Sequence, residues 1–279
     1  MSEQAETFTA EDLERFRVEL GRVRTSPSAF ERFIGRVVRI FCHLCAWRVE
    51  ITYAGDLPTP AGRRPGAGCI VAPAPHRAWV EPFLLLAFWP RDAAKLVYMG
   101  EARAHAGSWW RRRLFPRVGM LPTHASLGGP RGYAEIGAGV LAAGATLVVH
   151  PEVGPPSPPD RTRRISPGFA YMARQAGAPV IPVVVGGTHR IVRGSSFTID
   201  VLEPIETGPP DPDPFTPVGR AAAREIATRY EEVVADVLPG RTALADSRRP
   251  RRERWRWSSC RWSRSTGWRT SSRRRSSPA

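Results

Sequence analysis

One histidine and one glutamate lie five positions apart at the end of a strongly apolar run. His76 and Glu81 follow the segment CIVAPA, and the apolar segment PFLLLAF follows Glu81. A neutral imidazole near pH 7 is the usual general base in proteins. A carboxylate that holds its second ring nitrogen orients the ring and stabilises the imidazolium. A His and a Glu at this spacing are unrelated in most chains, so the pair needs support from its surroundings.

Two further polar stretches follow apolar runs in the same way. His150-Pro151-Glu152 comes after ATLVV, and Gly187-Thr188-His189 comes after PVIPVVV. In parallel α/β sheets, functional side chains gather beyond the carboxyl ends of the strands. We therefore expect the three polar stretches to meet at one edge of a sheet.

The elements that must position these residues alternate along the chain. Short buried strand patterns alternate with amphipathic helix patterns, which predicts an α/β fold with a mostly parallel central sheet flanked by helices. We expect this domain to span residues 48–240, where Pro239-Gly240 ends the last helix. Residues 1–47 are predicted to form amphipathic helices with arginines beside an apolar stripe. Such helices can lie on a membrane surface or pack on the core.

The net charge of +15 is unevenly distributed over the 279 residues. From Arg241 to the end there are thirteen arginines against Asp246 and Glu253, so +11 lies in this tail and +4 in the rest. The tail has no apolar periodicity and is predicted to be disordered. A nucleic-acid or lipid-binding arm is one interpretation, and a frameshift product of GC-rich DNA is the other. We base no function on it and expect no nucleic-acid partner.

The cysteines and the lengths of the apolar runs indicate the cellular compartment of the protein. Cys42 and Cys45 have metal-like spacing, but no second pair lies near them, and we interpret them as reduced thiols on one helix face. No signal peptide and no apolar run of membrane-spanning length is found. The sequence therefore predicts a cytoplasmic protein, without a metal site, that contacts the inner face of the cell membrane peripherally.

The central part of the chain resembles the glycerolipid acyltransferase family, typified by lysophosphatidate acyltransferase. The family's first motif, Asn-His-x-x-x-x-Asp, corresponds to PHRAWVE at 75–81. Its third motif, Phe-Pro-Glu-Gly-Thr, corresponds to HPEVG at 150–154, and its fourth, an apolar run with a central proline, to VIPV at 180–183. Order, spacing and strand context agree over roughly residues 48 to 205.

The resemblance implies an acyltransferase that needs no cofactor beyond its thioester co-substrate, acyl-CoA or acyl-carrier protein. It implies transfer to a hydroxyl of a lysolipid such as 1-acylglycerol-3-phosphate, in phospholipid biosynthesis. His76 and Glu81 would be catalytic. The residues implied in binding the acceptor are Glu152, Pro151 and Gly154, and Pro182 has a structural role.

The motifs also depart from the family's pattern. Glu81 replaces an aspartate, and the Thr-Arg pair of the third motif is lost. The arginine of the second motif, six residues after Gly119, is Ala125 here. Arg131 is our candidate for its role in binding the acceptor phosphate; the group Arg161, Arg163 and Arg164 is the alternative. Equally, the acceptor can be another lipid or a glycolipid.

Two rival functions remain open at this point. A thioesterase or esterase would use His76 to activate water and would need no acceptor. A non-catalytic lipid-binding protein on the same fold would bind lipid without turnover. Acceptor dependence and the effect of replacing His76 separate these functions.

Overall fold

A computed structural model describes residues 27–54, 68–89, 95–101, 117–123, 129–154, 158–189 and 191–247. Residues 1–26 of the predicted N-terminal helical segment and the tail beyond residue 247 lie outside the described residues. The α/β prediction is confirmed, because strands and helices alternate in the predicted order.

Seven strands form the main sheet within the described residues, in the order β1-β9-β8-β2-β5-β3-β4. All adjacent pairs are parallel except β8 and β9, so β1 and β9 run against the other five. A separate two-stranded ribbon pairs β6 with β7. The bounds are β1 Arg48–Tyr53, β2 Cys69–Ala74, β3 Leu96–Glu101, β4 Met120–Thr123, β5 Thr146–Val148, β6 Glu152–Val153, β7 Arg164–Ile165, β8 Val180–Gly186 and β9 Ser196–Val201.

Helices cover both faces of the sheet. They are α1 Ala29–Leu44, α2 Glu81–Phe88, α3 Gly129–Ala142, α4 Gly168–Ala176 and α5 Pro217–Ser247. Strand β2 is buried along its whole length. Ile70 and Ala72 pack on the side of α3, α4 and α5, whereas Cys69 and Val71 pack on the side of α1 and α2. This alternation explains why CIVAPA is apolar throughout: both faces of the strand lie in the core.

Helix α1 begins at a capping box in which Ser28 and Glu31 exchange side-chain and backbone hydrogen bonds. One side of the helix packs in the core through Cys42, and burial raises the pKa of this thiol to about 11. A metal ligand would need the thiolate. The interpretation of Cys42 as a core thiol therefore fits its surroundings.

The predicted end of the last helix at Pro239-Gly240 is wrong. Helix α5 continues through Pro239 to Ser247. Arg241 forms an ion pair with the buried Asp200, with Nη2 and Oδ1 2.6 Å apart, and Thr242 donates to the carbonyl of Pro159. Proline removes one backbone hydrogen bond from a helix. Here the contacts beyond it hold the last turns on the domain, which local sequence signals do not reveal.

Candidate active site

The loop between β2 and α2 brings His76 and Glu81 together. Strand β2 lies between β8 and β5 and delivers His76 to the carboxyl edge of the sheet. Pro82 lies in the first turn of α2, where its missing N–H costs no hydrogen bond. This arrangement fixes Glu81 at the start of the helix. The Nδ1 atom of His76 lies 2.7 Å from Oε2 of Glu81, so the predicted pair is present.

The carboxylate of Glu81 is fully buried and accepts hydrogen bonds from three more donors. Its Oε1 atom accepts from the backbone N–H of Arg77 at 2.8 Å and of Ala78 at 3.1 Å. The hydroxyl of Thr188 donates to the same atom at 2.6 Å. A buried carboxylate needs such partners, because removal from water is costly. Together they fix the carboxylate, whose other oxygen, Oε2, holds His76.

Thr188 shows that the third polar stretch belongs to the site. It follows β8, the neighbour of β2 in the sheet, and it is buried. The sequence singles out this stretch by its position after a strand, but it gives Thr188 no role. The role is set by a contact between residues 107 positions apart, which no local pattern predicts.

A second histidine lies against the first. The rings of His76 and His150 have centroids 4.0 Å apart and are tilted by 35°. Both ring nitrogens of His150 are buried, and neither makes a hydrogen bond of ordinary geometry with the described residues. Burial, together with the charge of His76, lowers the pKa of His150 to about 3, although the backbone of Pro73 opposes this shift. His150 is therefore a neutral ring that packs on the ring of His76.

Glu152 joins two segments of the site. Its Oε2 atom accepts from the backbone N–H of His76 at 2.9 Å, and its Oε1 atom accepts from the backbone N–H of Arg163 at 3.0 Å. The resemblance implies that this residue contacts the acceptor. These bonds give Glu152 a structural function as well, because they hold the backbone of His76 against the ribbon β6–β7.

One group of side chains among the described residues could hold a metal ion. Ligand atoms of His76, Glu81 and His150 all lie within 4.8 Å of one another. However, a carboxylate offers about four lone-pair positions, and Glu81 already accepts four hydrogen bonds. The arrangement fits a base with its orienting partner better than a metal site.

The remaining predicted site residues fall into two groups. Pro151 is buried and Gly154 has a φ of +96°, in the region that glycine favours, so both shape the turn around Glu152. Pro182 is buried in β8 and pairs with Ala72. Arg131, by contrast, is paired with Asp213 at 3.2 Å, ahead of α5.

The contact with Asp213 is an ion pair at the surface, where Arg131 is exposed. Its guanidinium also lies over the ring of Phe215, 5.4 Å from the centroid. None of its described contacts is with the residues around His76. Ala125 and the loop around it lie outside the described residues.

The fold and this histidine–glutamate pair fit an acyltransferase of the α/β type. A family model described as Acyltransferase matches residues 50–186. The range includes His76, Glu81, Glu152 and the whole of β8. Over this range, which is just under half of its length, the chain is similar to the acyltransferase family.

A solved structure agrees on the fold. The 1-acyl-sn-glycerophosphate (LPA) acyltransferase PlsC from Thermotoga maritima superposes with a TM-score of 0.50 at 20% identity. The match covers 84% of this chain and 85% of that one. The comparison with curated proteins finds no match.

Proposed function

We propose that this acyltransferase moves a fatty acyl group from acyl-CoA or acyl-carrier protein to a hydroxyl of a lysophospholipid such as 1-acylglycerol-3-phosphate. The observation that carries the proposal is the contact of His76 Nδ1 with the buried carboxylate of Glu81. It assigns the Nδ1 proton to the carboxylate side and leaves Nε2 as the nitrogen that accepts a proton. The solved acyltransferase of this fold supports the acceptor class.

In the proposed reaction, Nε2 of His76 takes the proton of the acceptor hydroxyl. The oxygen attacks the thioester carbonyl and forms the new C–O bond. The C–S bond then breaks, and the thiolate leaves with the proton that His76 returns. Glu81 stabilises the imidazolium that exists between the two transfers. Such a base contributes about 10²–10⁴ in rate.

We also propose that the protein works in the cytoplasm, at the inner face of the cell membrane. Helix α1 supports this location, because several large apolar side chains on one side of it are exposed. Phe33 is 56% exposed, Ile40 is 60% exposed and Leu44 is 68% exposed. Arg32 and Arg36 are also exposed on this helix, and basic residues beside an apolar face are typical of helices that lie in the interface. In the described part of the chain, no helix is both long and apolar enough to span a bilayer.

Vesicle sedimentation of the full chain tests the membrane contact. Replacing Phe33 and Ile40 by serine should weaken binding to anionic vesicles at least tenfold, because each buried side chain is worth about 1.5–3 kcal/mol. Val218→Ser is the matched control, since Val218 is 79% exposed on another helix. Equal binding of the double variant and the control would contradict this location.

Release of free thiol tests the reaction. The full chain is given long-chain acyl-CoA, then acyl-carrier protein, with and without a panel of lysophospholipid and glycolipid acceptors. Release that requires an acceptor, with the acylated acceptor found by mass spectrometry, supports the transfer and identifies the acceptor. Release without any acceptor would show a thioesterase. Lipid binding with neither release would show a non-catalytic protein.

A further inference from the structure

A cavity lies where helix α1 packs on the end of α2, beside the start of β3. Its walls include Gly35 of α1, Leu86 and Trp89 at the end of α2, and Leu96 of β3. Its volume is about 100 Å³, whereas about 10–15 Å³ is enough to hold one water molecule. The cavity therefore has room for a group of several heavy atoms, such as a phosphate.

This cavity is separate from the catalytic pair. Glu81 begins α2, whereas Leu86 and Trp89 lie toward its other end, about 7 Å or more along the axis at 1.5 Å per residue. Leu96 begins β3, and His76 follows the end of β2, which runs in the same direction because both strands are parallel to β5. The cavity and the base therefore lie toward opposite edges of the sheet, and a ligand in the cavity is not at the reacting centre.

The lining of the cavity is basic. Four cationic side chains line it: Arg32, Arg36, Arg39 and Lys95. Glu31 is the only carboxylate among the described residues that line it, and its Oε1 atom lies 3.3 Å from Nζ of Lys95. The acid and the lysine therefore compensate each other, and arginines supply the other charges of the lining. A cleft lined mostly by one sign of charge concentrates ions of the opposite sign.

Two of these arginines are anchored by backbone carbonyls. Nη1 of Arg32 donates to the carbonyl of Pro27 at 2.6 Å, and Nε of Arg39 donates to the carbonyl of Ala87 at 2.7 Å. Side chains that are already held lose less freedom when a ligand binds. Arg36 is exposed, so it lies where the cavity opens to solvent.

An apolar strip runs beside this opening. Phe33 and Val37 each follow an arginine of the lining by one position, and they are 56% and 44% exposed. Successive residues of a helix are rotated by about 100°, so these side chains lie next to the arginines on the outer side of α1. A ligand that carries both a phosphate and acyl chains matches the two features together.

We propose that this cavity binds the phosphate of an anionic membrane phospholipid, whose acyl chains lie along Phe33 and Val37. The inference rests on the proposed membrane contact of α1 and specifies the lipid partner of that helix. Guanidinium groups bind phosphate oxygens through paired, charge-assisted hydrogen bonds. A headgroup bound in this way holds α1 in one orientation on the bilayer.

Isothermal titration of the full chain with dihexanoyl phosphatidylglycerol, kept in monomeric form, tests the cavity. We expect one saturable site. Arg36→Gln should weaken binding about 10- to 100-fold, the size of a lost hydrogen bond to a charged group. Inorganic phosphate should bind more weakly than the lipid, because it has no acyl chains to contact Phe33 and Val37. Equal or tighter binding of inorganic phosphate would show a site for the free ion and overturn the lipid assignment.

Arg48→Gln is the matched control, because Arg48 is exposed, follows the end of α1 by four residues and does not line the cavity. It should bind the lipid as the wild type does. Equal losses in Arg36→Gln and Arg48→Gln, or no saturable binding by the wild type, would overturn the assignment. Because the lipid is monomeric, this result does not depend on the membrane contact. A wild type that binds the monomeric lipid but does not sediment with anionic vesicles would contradict the proposed location instead.

Discussion

Replacing Glu81 by glutamine should abolish the base without unfolding the site. The Oε1 position faces three donors, the N–H groups of Arg77 and Ala78 and the hydroxyl of Thr188. The amide of glutamine must place its oxygen there, because its NH₂ group would face three donors otherwise. The NH₂ group then occupies the Oε2 position, 2.7 Å from Nδ1 of His76.

That orientation reverses the tautomer of His76. With NH₂ beside it, Nδ1 must accept a hydrogen bond, so the ring proton moves to Nε2. A protonated Nε2 cannot take the proton of an acceptor hydroxyl. We expect kcat to fall by about 10³, within the 10²–10⁴ that a general base supplies and close to 4 kcal/mol of barrier.

The assay is acceptor-dependent thiol release by the full chain, beside a urea unfolding curve. Glu31→Gln is the matched control, because Glu31 is also buried and lies 3.3 Å from Lys95, away from the catalytic pair. It should lose stability and keep its turnover. Turnover by Glu81→Gln above a tenth of the wild-type rate, in folded protein, would refute this account of the pair.

Three further predictions concern the residues around the pair. Thr188→Val removes one of four donors to Glu81, so we expect a stability loss of about 1–2 kcal/mol in urea unfolding and a fall in kcat below tenfold; a larger fall would mean that Thr188 acts on the substrate. Glu152→Gln places an NH₂ group against one backbone N–H, so it should lower the free energy of unfolding by about 1–3 kcal/mol and also lower kcat. An unchanged free energy of unfolding would contradict the bridge that Glu152 forms between His76 and Arg163. His150→Phe should make the folded protein more resistant to acid. The pKa of His150 is about 3 in the folded protein and 6.5 ordinarily, so between these pH values only the unfolded chain binds the proton. The wild type should therefore lose up to about 1.4 kcal/mol of unfolding free energy per pH unit as the pH falls, and unfolding curves of the variant should lack this loss.

Local patterns were sufficient to predict the main strands and helices and the contact of His76 with Glu81. Apolar residues recur every two positions in half-buried strands and every 3.6 positions in helices that pack on a core. Burial on both faces of a strand makes CIVAPA and VIPVVV continuous apolar runs. Because β8, β2 and β5 are neighbours, the polar residues that follow them meet at one edge. His76 and Glu81 are close in sequence as well, so their contact needed only a strand-to-helix turn.

Long-range contacts account for what the sequence did not predict. The bond of Thr188 to Glu81 and the bridge of Glu152 to Arg163 depend on how loops fold over the edge of the sheet. The end of α5 was placed too early, because Pro239-Gly240 is a strong local stop signal that the ion pair of Arg241 overrides. The sequence around Arg131 does not encode its pairing with Asp213, which lies 82 positions away.

The most direct test of the central claim is the rate of acyl transfer by His76→Gln. The full-chain variant is compared with the wild type in acceptor-dependent thiol release, with His43→Gln as control, because His43 is exposed near the end of α1. The account predicts that His76→Gln loses at least 10² in kcat while lipid binding and the unfolding midpoint persist, and that His43→Gln keeps its rate. Acceptor-dependent release by folded His76→Gln at the wild-type rate would contradict the assignment of His76 as the base.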